Sequence, residues 1–351
     1  MLGLLRLVDF RCFGFMEVDA AEAGVLMVGG NARGKTSVLE AVCVLVRLHS
    51  PRARRMATMV RHGADGFGVA GEAWGVERQV RYAGGTTKLL VDGEERSGAG
   101  EYLADGGLLV WMGNEDMELV RGPGETRRRY LDFLGTQLHP EYRGALARYR
   151  RAVKARNLLL RERRATDAEI DAYDAVLVVQ GSLLRGVRAE MLDALAGPAA
   201  EAQREIGGGR ERFSMRYRMS GEEDLARALA EGRERDRRTG RTGVGPHLDD
   251  VVLELDGRRA ADFASEGQLR TMALALKLAQ GRVLEDRRGV PPLFLIDDVF
   301  GELDPRRRNA LMAHLPVQAQ LWITTTHLDW LEKGSPAERL KKIRLESEEM
   351  G

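Results

Sequence analysis

Residues Gly29-Gly30-Asn31-Ala32-Arg33-Gly34-Lys35-Thr36 fit the spacing G-x-x-x-x-G-K-[ST]. Each part has a physical reason. Glycines let a loop curl until successive N–H groups point at phosphate oxygens. A helix starting behind the loop offers its positive end to the same anion. Lys35 adds a point charge for the β- and γ-phosphates, and Thr36 a hydroxyl for Mg²⁺. The chemistry this predicts is binding of a nucleoside triphosphate. An apolar strand, Gly24-Val25-Leu26-Met27-Val28, precedes the loop and an amphipathic helix follows it, as the motif requires.

Far downstream, Leu293-Phe294-Leu295-Ile296 ends in Asp297-Asp298. A continuously apolar strand reads as a buried parallel strand, and ligand-facing residues gather at its carboxyl end. Asp297 is therefore expected to reach the cation held by Thr36, and Asp298 to orient or deprotonate an attacking water. Ser265-Glu266-Gly267-Gln268 opens a long helix, with Ser265 as N-cap and a second set of free N–H groups behind it. His327 follows the strand Leu321–Thr325 in a polar loop.

The elements that must place these groups alternate at both ends of the chain. Strands are expected at 4–8, 15–19 and 24–28, a helix at 37–48, and strands near 67–72, 76–82 and 86–91. From about Gly122 the texture becomes helical, over 123–137, 141–164 and 168–196, with an alternating strand at 211–219 and a charged helix at 222–238. A strand at 250–256, a helix at 266–286, a strand at 293–296, a helix at 305–314 and a strand at 321–325 complete the pattern. The arrangement this predicts is α/β: an ATPase domain from residues 1–112 and 241–351, with a mainly helical lobe inserted at 113–240.

Composition bounds the function. The chain has 351 residues with 44% hydrophobic, enough for a sizeable core. No run is long and apolar enough for a membrane span. The N-terminus is broken by Arg6 and Asp9 and is no secretory signal, so cytoplasmic residence is expected. Cys12 and Cys43 make no disulfide framework. Charge is uneven: 121–164 holds 13 Lys and Arg against 4 Asp and Glu, a net of +9, and 47–61 holds five arginines and no acid. Such stretches suit either solvated helix faces or nucleic-acid phosphates.

The motif order resembles the ATPase heads of the ABC/SMC superfamily: a Walker A motif at 29–36, a signature at 265–268, a Walker B strand at 293–298, a D-loop at Glu302-Leu303-Asp304 and a switch histidine at His327. The fold so implied is an ABC/SMC-type P-loop head, a mixed sheet plus antiparallel strands, with the helical lobe inserted. Within that group, Gly30 through Glu40, Glu115-Asp116, Gly122-Pro123, Arg127-Arg128-Arg129-Tyr130-Leu131-Asp132 and Gly245-Pro246-His247-Leu248-Asp249-Asp250 are similar to the bacterial RecF family.

The resemblance implies ATP contacts from Gly29, Gly30, Asn31, Ala32, Arg33, Gly34, Lys35, Thr36 and Ser37. Across a dimer it implies further contacts from Ser265, Gly267, Gln268 and Asp304. It places Mg²⁺ on Thr36 and Asp297, and gives Asp298, Lys35 and His327 the hydrolytic roles. It also implies a homodimer formed with ATP, binding of double-stranded DNA and of single-/double-strand junctions, and work with RecR, RecO and RecA in repair. Arg52, Arg54, Arg55, Arg127, Arg128, Arg150 and Arg151 are the expected DNA contacts.

The chain departs from the wider pattern in four places. Glu266 stands where the signature usually has Gly. Asp298 replaces the usual Glu, and its shorter reach predicts slow hydrolysis. Gly301 replaces a small Ser or Ala. No Gln is evident for the Q-loop, whose place is taken by Asn114 or Glu115. A transporter ATPase would need that Q-loop and a coupling surface. An SMC protein would need long heptad arms, for which 113–240 is too short.

Overall fold

The computed structural model describes residues 1–104, 106–162, 165–209, 211–332 and 334–345. The chain divides into two compact units, Met1–Glu115 with Gln280–Gly351, and Asp116–Ala279. The first unit begins β1 (Leu2–Phe10), β2 (Phe13–Asp19), β3 (Gly24–Val28), α1 (Lys35–Arg47), β4 (Gly66–Ala73), β5 (Val76–Ala83), β6 (Thr86–Val91), β7 (Glu94–Glu95), α2 (Ala99–Leu103) and β8 (Leu109–Gly113). The second holds α3 (Met117–Arg121), α4 (Gly124–Leu138), α5 (Tyr142–Arg161), α6 (Asp167–Gly207), β9 (Phe213–Arg218), α7 (Leu225–Thr239), β10 (Asp250–Leu255), β11 (Arg258–Arg259) and α8 (Ala260–Phe263). Helix α9 (Glu266–Arg288) starts in the second unit and ends in the first, which finishes with β12 (Leu293–Asp297), α10 (Pro305–His314), β13 (Leu321–Thr325) and β14 (Lys341–Arg344).

Among the described residues of the first unit, two sheets form. One is antiparallel, in the order β2-β1-β4-β5-β6-β7. Its strands alternate, as β1 shows by burying Leu2, Leu5, Leu7 and Phe10 while exposing Gly3, Arg6 and Val8. The other is parallel, in the order β14-β3-β13-β12-β8. Its central strands β3, β13 and β12 are buried almost throughout because both faces are covered, and they are apolar up to Thr324-Thr325 and Asp297 at the carboxyl ends of β13 and β12. Gly24 opens β3 at φ +116, and a Cβ there would run into the Leu321 backbone. Helix α1 is buried nearly all round, including Glu40 at 0% exposure. That charge is tolerated because Arg11 grips it with two bonds of 2.7 Å and the Ser50 hydroxyl adds a third.

The second unit is mainly helical, with a small sheet β11-β10-β9. Helix α6 is opened by a capping box between Thr166 and Glu169. It runs straight through Pro198, whereas the sequence predicts an end at 196. Gly197-Pro198 reads as a stop because proline removes one ladder bond. Burial of Ala199, Ala202, Gln203 and Ile206 beyond it keeps the last turns helical.

Two sequence expectations are corrected here. Residues 241–279, expected with the ATPase domain, belong to the second unit. The cause is strand pairing: β10 pairs antiparallel with β9, from Asp250 opposite Arg218 to Leu255 opposite Phe213. Arg127, expected on a DNA face, is 6% exposed. Its guanidinium holds Asp250 at 2.8 and 3.1 Å and donates to the carbonyls of Leu119 and Gly122. The basic stretch of α4 to α5 thus supplies internal struts as well as surface charge.

Candidate nucleotide site

The loop between β3 and α1 carries the glycine-rich motif. Ala32 lies at φ 61 and Gly34 at φ 82, the left-handed values that curl the chain. A Cβ on Gly34 would collide with the Phe13 ring and the Cys12 sulfur, so only glycine fits. The first helical bond of α1 is Val38 N–H to Gly34 O at 3.1 Å, and no side chain caps the helix. The amides of Lys35, Thr36 and Ser37 therefore precede the ladder, at the positive end of the dipole. Lys35 is 6% exposed, and its Nζ donates to the carbonyls of Gly29 at 2.7 Å and Gly30 at 2.8 Å. Burial draws its pKa down, against the opposing pull of Asp298 and Asp297.

Thr36 and Asp297 meet across the sheet, with Thr36 Oγ1 at 2.9 and 2.8 Å from the two carboxylate oxygens. Thr324 Oγ1 donates to Asp297 Oδ1 at 2.7 Å and accepts from Asp298 N–H at 3.0 Å. The sequence reading missed Thr324; the available signal was a threonine at the carboxyl end of the strand beside the paired carboxylates. Burial pushes the Asp297 carboxyl up, bonds from Thr324 and Thr36 oppose this, and the charges of Glu115 and Asp298 add to it. A hydroxyl beside crowded, desolvated carboxylates is the donor set of a hard divalent cation, so these residues fit Mg²⁺. Glu115 is oriented by Trp111, whose Nε1 donates to it at 3.0 Å.

Asp298 lies at φ 52, a left-handed backbone on a non-glycine residue that costs on the order of 1 kcal/mol. The turn brings its Oδ1 to 3.9 Å from the point where a Cβ on Gly301 would stand, and His327 Nε2 to 3.7 Å from that same point. Glycine at 301 thus leaves open the space between carboxylate and imidazole. His327 is half-exposed, and Asp304 caps α10 by accepting from Arg307 N–H at 3.0 Å. Asn114 Nδ2 donates to Glu302 Oε1 at 3.0 Å, which ties the segment after β8 to the D-loop.

In the second unit Ser265 and Gln268 form a capping box: Ser265 N–H donates to Gln268 Oε1 at 2.7 Å, and Gln268 N–H to Ser265 Oγ at 3.3 Å. Gln268 Nε2 is held by Glu211 at 2.7 Å, while Ser265 itself is exposed. Gly267 accepts from the Thr271 hydroxyl at 2.8 Å. Of the arginines expected to meet DNA, Arg52, Arg54, Arg55 and Arg151 are exposed. Arg150 is exposed and pairs with Asp132 at 2.9 Å, and Arg128 is half-buried, donating to Asp249 O at 2.7 Å. Arg163 and Arg164, in the same basic stretch, lie outside the described residues.

No protein-family model matches the chain. Among curated proteins it is 38% identical over 340 residues to the DNA replication and repair protein RecF of Anaeromyxobacter sp. (strain Fw109-5), covering 92% of this chain and 91% of that one. It is 35% identical over 349 residues to RecF of Synechococcus sp. (strain JA-3-3Ab), covering 93% and 91%. Among solved structures, the recombination mediator RecF-ATP of the RecFOR pathway superposes with a TM-score of 0.87 at 28% identity, over 94% of this chain and 93% of that one. An Smc head bound to the C-winged helix domain of ScpA aligns with a TM-score of 0.56 at 15% identity, over 95% and 91%, and so shares the fold. With a glycine-rich cradle facing a carboxylate strand, and with this similarity running nearly end to end, the chain belongs to the RecF family of DNA replication and repair proteins.

Proposed function

We propose that the chain binds Mg-ATP at Gly29–Ser37, hydrolyses it slowly, and uses bound ATP to join two copies into a recombination mediator on DNA. The observation that carries this reading is the Thr36–Asp297 bond beside Lys35, in a chain whose solved relative RecF is an ATP complex. Amides at the start of α1 and the Lys35 ammonium receive the phosphates. Thr36 and Asp297 would hold Mg²⁺, and the ion would supply positive charge to offset the negative charge of the phosphates. Asp298 orients and takes a proton from the attacking water, and His327 faces the same space. The short reach of Asp298 favours a switch over a motor.

Ser265, Gly267, Gln268 and Asp304 then act across the dimer, where Ser265 presents its exposed helix end to the γ-phosphate of the partner copy. Ser265→Arg puts a bulky cation at that helix end. ATP binding by the monomer is expected to be retained and ATP-driven dimerisation lost. Light scattering with ATP checks it, and dimers of this variant would refute the arrangement across two copies.

Family membership supports the biological setting: binding of duplex DNA and gap junctions, loading of RecA together with RecR and RecO, and residence in the cytoplasm. Among the described residues no helix is long and apolar enough to cross a membrane. The exposed Arg52, Arg54 and Arg55 and the α5 arginines Arg150 and Arg151 are the proposed phosphate contacts; Arg127 is not among them. Replacing Arg52, Arg54 and Arg55 together with Ala is expected to weaken binding to gapped duplex regardless of sequence. The slope of log affinity against log salt should become shallower by about 0.9 for each phosphate that the variant leaves without its arginine. An unchanged slope would move the DNA face elsewhere.

A further inference from the structure

Beside the carboxylates and His327 stands a buried group to which neither hydrolysis nor nucleotide binding assigns a part. Thr325 is the last residue of β13 and is fully buried. Its Oγ1 donates to the carbonyl of His327 at 2.9 Å and accepts from Trp330 Nε1 at 2.9 Å. Trp330, 3% exposed, stacks on Phe300 with ring centroids 4.8 Å apart and planes 17° from parallel. Phe300, fully buried, lies two residues after Asp298 and two before Glu302 of the D-loop. Arg308 of α10 fixes the backbone of that segment, donating to Phe300 O at 3.1 Å and Leu303 O at 2.8 Å.

The loop carrying His327 and the turn carrying Asp298 are therefore joined at their bases by one hydroxyl and one aromatic stack. At their tips the two functional groups converge on the space left open by Gly301. Buried aromatic pairs usually serve packing alone. This one differs because the indole N–H donates to the threonine hydroxyl, which in turn donates to the backbone carbonyl of the histidine.

We propose that Thr325, Trp330 and Phe300 form a positioning unit that fixes His327 against Asp298 and couples both to the D-loop. The proposal rests on the reading that this site hydrolyses ATP, and it names what sets the geometry of that step. None of the three residues touches substrate. They act through His327 and Asp298, so their loss is expected in the rate and not in ATP affinity.

The test compares Thr325→Val, Thr325→Ser and Trp330→Phe in the full chain, by single-turnover ATP hydrolysis, equilibrium ATP binding and thermal melting. Thr325→Val keeps shape and removes the hydroxyl. Its hydrolysis rate is expected to fall on the order of 10- to 100-fold, with ATP affinity unchanged. Thr325→Ser restores the hydroxyl and recovers most of the rate. Trp330→Phe keeps a stack, loses the N–H and falls between. A Thr325→Val protein that turns over at the parental rate overturns the positioning unit alone. So does one whose ATP affinity and melting temperature fall in step with its rate, as a packing role requires. If Thr325→Val does not fold, Trp330→Phe at parental rate has the same consequence. A parent that binds ATP without hydrolysing it overturns the hydrolytic reading and this proposal with it.

Discussion

Lys35→Met is expected to abolish productive ATP binding while leaving the fold intact. The ammonium is nearly buried and occupied by two loop carbonyls, Gly29 O and Gly30 O. Both are neutral acceptors, so exchanging them for phosphate oxygens replaces weak partners with charged ones. Two charge-assisted bonds of about 1.5 kcal/mol each make about 3 kcal/mol, or on the order of 100-fold in affinity. Methionine keeps the stem packed and removes a charge that burial already disfavours, so melting in the absence of nucleotide is expected to be unchanged. Dimerisation with ATP should disappear together with binding. Calorimetric titration of ATP into the variant decides it: parental affinity would mean that the cradle does not hold the triphosphate.

Why was the cradle legible and its surroundings less so? The motif is local, and its glycines answer to backbone geometry within eight positions. The same holds for the expected strands before and after it, which match β1 to β6 closely. Strand β8 escaped because Leu108-Leu109-Val110-Trp111-Met112 is an apolar run without a period, and only its place beside β12 makes it a strand. Strand β14, Lys341-Lys342-Ile343-Arg344, is an exposed edge with little apolar content, defined by pairing with β3. The boundary at 241 failed for the same kind of reason. Pairing between β9 and β10 joins segments 32 positions apart at Asp250 and Arg218, and no local pattern reports it. Arg127 and Arg151 look alike in the sequence. One is buried against Asp250 and the other exposed, and the difference lies wholly in tertiary partners. The positioning unit around Trp330 is likewise invisible from spacing, since Phe300 and Trp330 meet only when β12 and β13 lie side by side.

Arg156→Met is expected to be the most destabilising single change in the basic stretch. Arg156 is 0% exposed and bridges three elements: its Nε bonds Asp174 of α6 at 2.5 Å, and its Nη1 bonds Asp236 of α7 at 2.7 Å. The same Nη1 reaches the Thr242 hydroxyl at 3.1 Å. A buried ion pair contributes little net stability against an apolar replacement of the whole set. Removing one partner is different, because the remaining charge stays desolvated. Asp174 keeps Arg233 at 3.1 Å, but Asp236, 2% exposed, is left with the Gly243 N–H at 2.9 Å. The cost of such an uncompensated carboxylate is about 3–5 kcal/mol. Neutralising it as well, in Arg156→Met with Asp236→Asn, should recover part of that loss, which a simple packing defect would not allow. Urea unfolding followed by circular dichroism measures both variants. If the double variant unfolds no later than the single one, the arginine holds α5, α6 and α7 together by shape and not by charge.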